Sequence, residues 1–376
     1  MVQIANWMRE EPGTARFATH VGMDVVWLSG KFSSGPHRLL SPPRSALSRT
    51  PTFIVSKGSL MRIGFNLPIS GPMATATDMA RVARLGEELG FDYLTLTDHI
   101  ALPDVASPGY PYSESGEFYS PDPGHRMEQL TAAAWIAAKT DKIRLVLAVM
   151  VVPHRPAIVA AKMLTTIDVL SNGRLDVGIG AGWQKVEIDA VATTPFEERG
   201  AVTDEYLDAF RAVWTQTHVK FDGKYTKIDG LLVDPKPVQK PYPPIWVGGE
   251  TGPSMRRAAR IGNVWYPIGS NKANMLDTLP RLEAGIGKLR DLVRKAGRDP
   301  ATVGVAYRVK RHGQPAPLGS DGHRKLFTGS IANVIEDIAA LRQLGVTAMD
   351  FDFEGRDTDK AMAEMKKFRD EVLARI

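Results

Sequence analysis

Residues 62–89, RIGFNLPISGPMATATDMARVARLGEEL, contain one complete unit of the pattern that decides the fold. The apolar run at 62–67 predicts a buried strand, and apolar residues three and four positions apart predict an amphipathic helix at 77–89. Thr77 can cap the start of this helix and Gly90 its end. The connection between strand and helix lacks a glycine-rich phosphate-binding loop, which an open doubly wound sheet would need after its first strand.

The same unit occurs eight times along the chain. Strand candidates lie at 62–67, 93–97, 143–151, 174–179, 245–248, 263–267, 302–309 and 347–352. The helix candidates that follow them lie at 77–89, 127–139, 157–170, 197–215, 252–261, 272–296, 331–344 and 358–374. Eight strand–helix pairs are what a closed barrel requires. We therefore predict an α/β protein with a (β/α)8 TIM barrel.

Three insertions interrupt the regular spacing of these units. Residues 100–126 and 310–329 follow strands, so they belong to the C-terminal end of the barrel, where barrel enzymes place their active sites. We expect both to shape a substrate pocket. Residues 216–244 follow a helix instead and contain a predicted hairpin, in which Val219–Phe221 pairs with Lys224–Thr226 across Asp222-Gly223.

The first 60 residues differ from the rest of the chain. They carry seven Lys or Arg and three acidic residues, which leaves the remaining 316 residues at a net charge of only +1. We predict a domain at 61–376, preceded at 1–60 by a disordered leader or an extension from a misplaced start, with Met61 as the functional beginning. A secretory signal and a folded subdomain are the alternatives. Because the body is almost neutral, no basic face for nucleic acid is expected.

Composition argues against several other classes of protein. The chain has no cysteine, so disulfide scaffolds, thiolate zinc sites and thiol nucleophiles are excluded. The longest apolar run, 145–152, has eight residues, whereas a membrane span needs about 20. The eight histidines show no metal-binding spacing, and His154, between Pro153 and Arg155, is interpreted as a loop residue. We predict no metal site and a cytoplasmic location.

Candidate functional residues follow the ends of predicted strands. Asp98-His99 follows the second strand and can exchange protons near neutral pH, although the pair could instead only fix the loop. The glycines of 178–183 either admit a flat ligand to the backbone or allow tight packing. Those of 246–254 open onto a helix N-terminus, which favours a phosphate. Lys272, at the start of the sixth predicted helix, could add a positive charge.

Taken in order, several segments resemble the luciferase-like monooxygenase superfamily, in particular its coenzyme F420 (deazaflavin) branch. The resemblance covers residue 61 to the end and depends on the combined pattern. The matching segments are Arg62-Ile63-Gly64, Gly90-Phe91-Asp92-Tyr93, Thr97-Asp98-His99, Val152-Pro153-His154-Arg155-Pro156, Ala161-Lys162, residues 166–174, residues 178–183, residues 235–239 and residues 244–249.

The resemblance implies a barrel that binds FMN or its 5-deaza analogue at the C-terminal ends of the strands. It implies that Asp98 and His99 contact the ring or transfer a proton, and that Ala148-Val149 forms a non-prolyl cis peptide against the ring. The remaining cofactor-binding residues that it implies are Gly180, Ala181 and Gly182 at the ring or its chain, Gly248 and Gly249 at the phosphate, and Lys272 beside it.

The activity that the resemblance implies is hydride transfer between F420 and an unidentified small organic substrate. His99 would act as the acid or base, and Asp98 would position the ring. The alternatives are an FMN-dependent monooxygenase on the same barrel, a non-catalytic flavin or deazaflavin carrier, and a metal-dependent barrel hydrolase. The resemblance also implies a homodimer, with no nucleic-acid or membrane partner.

Overall fold

The computed structural model describes the strands Phe17–Val21 and Asp24–Leu28 and residues 61–376 apart from 106, 114, 119–121, 123 and 354–356. The chain divides into two compact units, Met1–Thr50 and Pro51–Ile376. In the first unit, the two strands pair antiparallel. The other residues of 1–60 lie outside the described part of the chain, so the predicted disordered leader stays a prediction.

The second unit contains eight parallel strands that close into a ring. Strands β1 to β8 are Arg62–Asn66, Tyr93–Leu96, Arg144–Leu147, Leu175–Gly180, Ile245–Gly248, Val264–Tyr266, Gly304–Val309 and Val346–Phe351. Each strand pairs with the next in the chain, and β8 pairs with β1. The predicted (β/α)8 TIM barrel is confirmed, with all eight strands near their predicted positions.

Helices cover the outside of the ring. Helices α1 to α9 are Ala76–Glu88, Gln129–Ala137, Ala157–Leu170, Lys185–Val191, Arg199–Thr215, Gly252–Ile261, Leu279–Lys295, Ile331–Leu344 and Thr358–Glu371. Their apolar faces and the outward side chains of the strands form one continuous core. Among the described residues, no helix combines the length and the apolarity that a membrane span requires.

Three helix starts differ from prediction for local reasons. The cap of α1 is Thr75, whose hydroxyl accepts the Asp78 N–H, so the predicted cap at Thr77 is wrong. Helix α7 begins at Leu279, with a proline in its first turn, and Lys272 therefore lies in the preceding loop and not at a helix start. Helix α4 was not predicted, because it is a short helix inside the loop after β4.

The hairpin after α5 forms with a different register from the one predicted. Strand His218–Asp222 pairs antiparallel with Lys227–Leu232, so residues 224–226 belong to the turn and not to the returning strand. The Glu205 carboxylate on α5 accepts the N–H groups of these three turn residues at 2.7–2.8 Å. These hydrogen bonds satisfy the turn backbone from a helix that is distant in sequence.

The interior of the ring is partly polar. Asp350 on β8 is fully buried and accepts a hydrogen bond from the Tyr266 hydroxyl, at 2.7 Å, and one from the Tyr93 hydroxyl, at 3.4 Å. The Arg308 guanidinium lies 3.4 Å from the same carboxylate. Burial raises the pKa of Asp350 to about 6, although the nearby Arg308 charge opposes the shift. The interior is thus held by a hydrogen-bonded network as well as by apolar packing.

Candidate active site

The predicted site residues lie at one end of the barrel because they follow strand ends. Asp98-His99 follows β2, Ala148-Val149 follows β3, and the glycines of 180–182 and 248–249 end or follow β4 and β5. In a closed parallel barrel, the C-terminal ends of all strands form one rim. The structure therefore gathers these sequence-distant segments around one opening.

A break in β3 shapes the centre of this opening. The Ala148–Val149 peptide bond is cis, as the resemblance implied, and the chain resumes as a strand at Met150–Val151 beside β4. A side chain added at Gly180 would approach Val149 Cγ2 to 2.7 Å, and one added at Gly248 would approach Val149 Cγ1 to 2.8 Å. The two glycines therefore make room for Val149, which favours the packing interpretation of their role.

Asp98 anchors the resumed strand. Its carboxylate accepts hydrogen bonds from Arg155 Nη1 and Nη2, at 2.8 and 2.9 Å, and from the Val151 N–H at 2.9 Å. Burial alone would raise the pKa of Asp98, but the hydrogen bonds and charge of Arg155 hold that pKa well below its usual range. Because the carboxylate has no exposed surface, this geometry favours a positioning role over direct contact with a cofactor.

His99 is held at the rim by a residue that sequence reasoning missed. Glu187 on α4 places its Oε2 atom 2.7 Å from His99 Nδ1, and its Oε1 atom accepts the N–H groups of Ile100 and Ala101 at 2.5 and 3.1 Å. Burial would raise the pKa of Glu187, but the hydrogen bond with His99 lowers it. A buried, ionised carboxylate thus fixes both the imidazole and the loop that carries it.

His154 is a second histidine in this cluster. It lies in the short turn Val152–His154 after β3, and its side chain is buried, with 1% exposed. Its Nδ1 atom lies 3.7 Å from Asp98 Oδ2, and its Nε2 atom lies 4.0 Å from Glu187 Oε2. Neither ring nitrogen has a hydrogen-bond partner in this arrangement.

Aromatic side chains from the loop after β2 surround His99. The His99 ring lies 5.3 Å from Phe118 and 6.4 Å from Trp183, and Tyr110 packs 5.0 Å from Trp183. The Lys310 ammonium, just after β7, donates to the Tyr110 hydroxyl at 2.9 Å. Three βα loops therefore meet over the opening, as expected for loops that shape a pocket.

The segment after β5 combines a backbone opening with a buried acid. Gly249 has a φ of +97°, and a side chain there would approach Ser254 Oγ, in the first turn of α6, to 3.2 Å. The next residue, Glu250, accepts the Ile268 N–H at 2.6 Å and an N–H of the Asn271 amide at 3.1 Å. Burial raises the pKa of Glu250, and the hydrogen bonds that its carboxylate accepts oppose this shift.

Lys272 contacts the loop after β2 through both its backbone and its side chain. Its backbone N–H donates to the Pro111 carbonyl at 3.0 Å, and its Nζ atom lies 3.9 Å from the place of a side chain at Gly116. Both contacts belong to the loop after β2. Lys272 thus lies against this loop, and its predicted role at a phosphate stays a prediction.

A family model described as luciferase-like monooxygenase matches residues 61–316. The chain belongs to this family. The luciferase-like match begins at the residue where the barrel begins and covers seven of its eight strands. Membership in this family supports an oxidoreductase.

The relatives of this luciferase-like chain differ in the activity and cofactor that their names state. It is 30% identical over 297 residues to the uncharacterized protein Rv0953c of Mycobacterium tuberculosis, covering 77% of this chain and 91% of that protein. It is 28% identical over 271 residues to the FMNH(2)-dependent dimethylsulfone monooxygenase of Pseudomonas putida, covering 61% and 73%. A solved F420-dependent secondary alcohol dehydrogenase, in complex with an F420-acetone adduct, shares the fold with a TM-score of 0.65 at 16% identity, covering 84% and 99%.

Proposed function

We propose that this chain is an F420-dependent oxidoreductase that exchanges a hydride with a small organic substrate at the barrel opening. The observation that supports it most is the placement of His99, held by Glu187 at the rim and next to aromatic side chains. When a hydride leaves an alcohol carbon, the oxygen loses a proton, and when a hydride is added to a carbonyl carbon, the oxygen gains one. His99 would take up or release that proton.

We infer that the segments after β4 and β5 would hold a tricyclic cofactor with a phosphate tail. Gly180, Ala181 and Gly182 would lie along the ring or its chain, and Gly248 and Gly249 would hold the phosphate at the start of α6. Helix α6 begins three residues after Gly249, and the positive end of its dipole would favour an anion there. F420, when bound, would supply the hydride acceptor or donor.

The chain would contribute orientation, exclusion of water and the proton. Tyr110, Phe118 and Trp183 would cover the opening from above, which limits the access of water to the reacting atoms. Asp98 would act indirectly, because it fixes the strand that follows Val149. Glu187 would keep one nitrogen of His99 engaged, so that the other nitrogen is the one available to a substrate.

The choice of cofactor is tested by titrating the purified protein with oxidised F420 and, separately, with FMN. We expect F420 to bind at least about tenfold more tightly, a difference of about 1.4 kcal/mol. Tighter binding of FMN would overturn the proposal and favour a monooxygenase, the alternative supported by the dimethylsulfone monooxygenase relative.

The catalytic role is tested with a panel of small alcohols and ketones, chosen because of the secondary alcohol dehydrogenase among the structural neighbours. We expect His99→Ala to keep cofactor binding and to lose at least about a hundredfold in turnover, which is the usual contribution of a general acid or base. The control is His218→Ala, an exposed histidine on the hairpin after α5. Equal turnover of both variants would favour a non-catalytic carrier.

We also propose a homodimer and a cytoplasmic location, both from the family resemblance. Light scattering of the purified chain tests the first of these. A mass equal to one chain at all concentrations would contradict it.

A further inference from the structure

The two histidines at the rim share one carboxylate oxygen. Glu187 Oε2 lies 2.7 Å from His99 Nδ1 and 4.0 Å from His154 Nε2. The opposite nitrogen of His154 lies 3.7 Å from Asp98 Oδ2. His154 therefore stands between two buried carboxylates, with one ring nitrogen directed to each.

This placement suits a protonated imidazole better than a neutral one. A neutral ring has one donor nitrogen and one acceptor nitrogen, so one of its two nitrogens would face a carboxylate lone pair without a hydrogen. In the protonated ring both nitrogens donate, and small movements would give each a carboxylate acceptor. Leaving both nitrogens of a buried imidazole without a hydrogen-bond partner costs free energy. Pairing of the protonated ring with the two carboxylates is therefore favourable.

The charged side chains of the cluster are balanced by one additional proton. The carboxylates are Asp98, Glu187 and Glu128, and the guanidiniums are Arg155, which bridges Asp98 and Glu128, and Arg126, whose charge interacts with Glu187. Three negative charges thus face two positive ones, and a single imidazolium balances them.

Other charged groups near the cluster are directed elsewhere. Asp122, which also interacts with Arg126, is 48% exposed beside His125, so solvent screens its charge. Arg199, on the helix α5 that packs against the 152–154 turn, donates to the Gly182 carbonyl. The charge balance therefore depends on His99 and His154.

We propose that His154 is a positioning residue that shares a single proton with His99 through Glu187. The use of this proton in turnover rests on the proposed function. The presence of the shared proton does not. A proton given up by His99 to a substrate would be replaced from His154, and the cluster would then carry one negative charge until a proton returned from solvent.

The test is a titration of the protein labelled with 15N-histidine, without cofactor or substrate, from about pH 5 to pH 8, followed by ring 15N chemical shifts. Within this pH range we expect the imidazoles of His99 and His154 both to be partly protonated. Their protonated fractions should add up to one. In His154→Gln, His99 should hold the whole proton. In Glu187→Gln, which removes the excess negative charge, the two rings should hold none.

The inference would be overturned if both imidazole rings were fully protonated at the same time. It would also be overturned if one ring held the full proton while the other stayed neutral over the whole pH range. The wild-type titration alone decides between these outcomes, so the test does not depend on the folding of either variant. His218→Gln is the matched control and should leave both cluster signals unchanged, because His218 is exposed on the distant hairpin. Failure of F420 to bind would overturn the proposed function and leave this titration unaffected.

Discussion

Replacing Gly180 with alanine should destabilise the barrel, unless Val149 is shortened at the same time. The new Cβ atom would lie 2.7 Å from Val149 Cγ2, whereas carbon atoms pack at about 3.5–4.0 Å. Either the Val149 side chain or the end of β4 must move by about 1 Å. Overpacking of this kind costs about 1–3 kcal/mol.

The pair can be tested as a double-mutant cycle. Val149→Ala removes both methyl groups of the side chain, including the Cγ2 that the new atom meets, at a cost of about 1–2 kcal/mol for a half-buried valine. The double variant should therefore be little less stable than Val149→Ala alone, which corresponds to a coupling energy of about 1–3 kcal/mol between the two positions.

The assay is unfolding in urea, followed by tryptophan fluorescence and by far-ultraviolet circular dichroism, with coincident transitions required. Gly287→Ala on the exposed face of α7 is the control, because a side chain there meets no heavy atom within 4 Å. This control should gain about 0.5–1 kcal/mol from helix propensity. Additive effects within about 0.5 kcal/mol would refute the proposed contact between Gly180 and Val149.

Three further predictions concern hydrogen bonds that hold the loops. Asp98→Asn leaves Arg155 buried with only Glu128 as a charged partner, so guanidinium unfolding should show a loss of about 3–5 kcal/mol, and a loss below about 1 kcal/mol would contradict the assigned role. The Glu87 carboxylate accepts the N–H groups of residues 141–143. Burial would raise the pKa of Glu87, but these hydrogen bonds lower that pKa below 4.5. The ionised carboxylate therefore stabilises the fold above pH 4.5, and this stabilisation is lost as the pH falls. The difference in Tm between wild type and Glu87→Gln should therefore shrink from pH 6 to pH 3, and a constant difference would count against it. Arg174→Lys removes a guanidinium that donates to four backbone carbonyls and the Thr140 hydroxyl, and calorimetry should show a loss of about 2 kcal/mol, against less than about 0.5 kcal/mol for the exposed Arg294→Lys.

The barrel could be predicted because its signals are local. A strand such as 245–248, Ile-Trp-Val-Gly, is apolar throughout, and a helix such as α8 is marked by Ser330 at its start and Gly345 at its end. In the structure, Ser330 forms a capping box with Asn333, and Gly345 adopts a left-handed conformation. Each of these features depends on residues within a few positions of one another.

The site was predicted less completely because its contacts are distant in sequence. His99 and Asp98 were identified by their position at a strand end, but their partners Glu187 and Arg155 lie 88 and 57 positions away. Nothing near Glu187 distinguishes it from a solvated acid on a short helix. The separate roles of the two neighbours, Asp98 beneath the loop and His99 at the rim, appear only when these partners are in place.

Val149 would form the base of the proposed substrate pocket. Its side chain covers two glycines on neighbouring strands. The height of that base would therefore depend on the volume of one residue and not on the hydrogen-bonded ladder around it. A longer or shorter aliphatic side chain at this position would raise or lower that base while the strands keep their register. Selectivity for substrate size could thus change by single steps without rebuilding the scaffold.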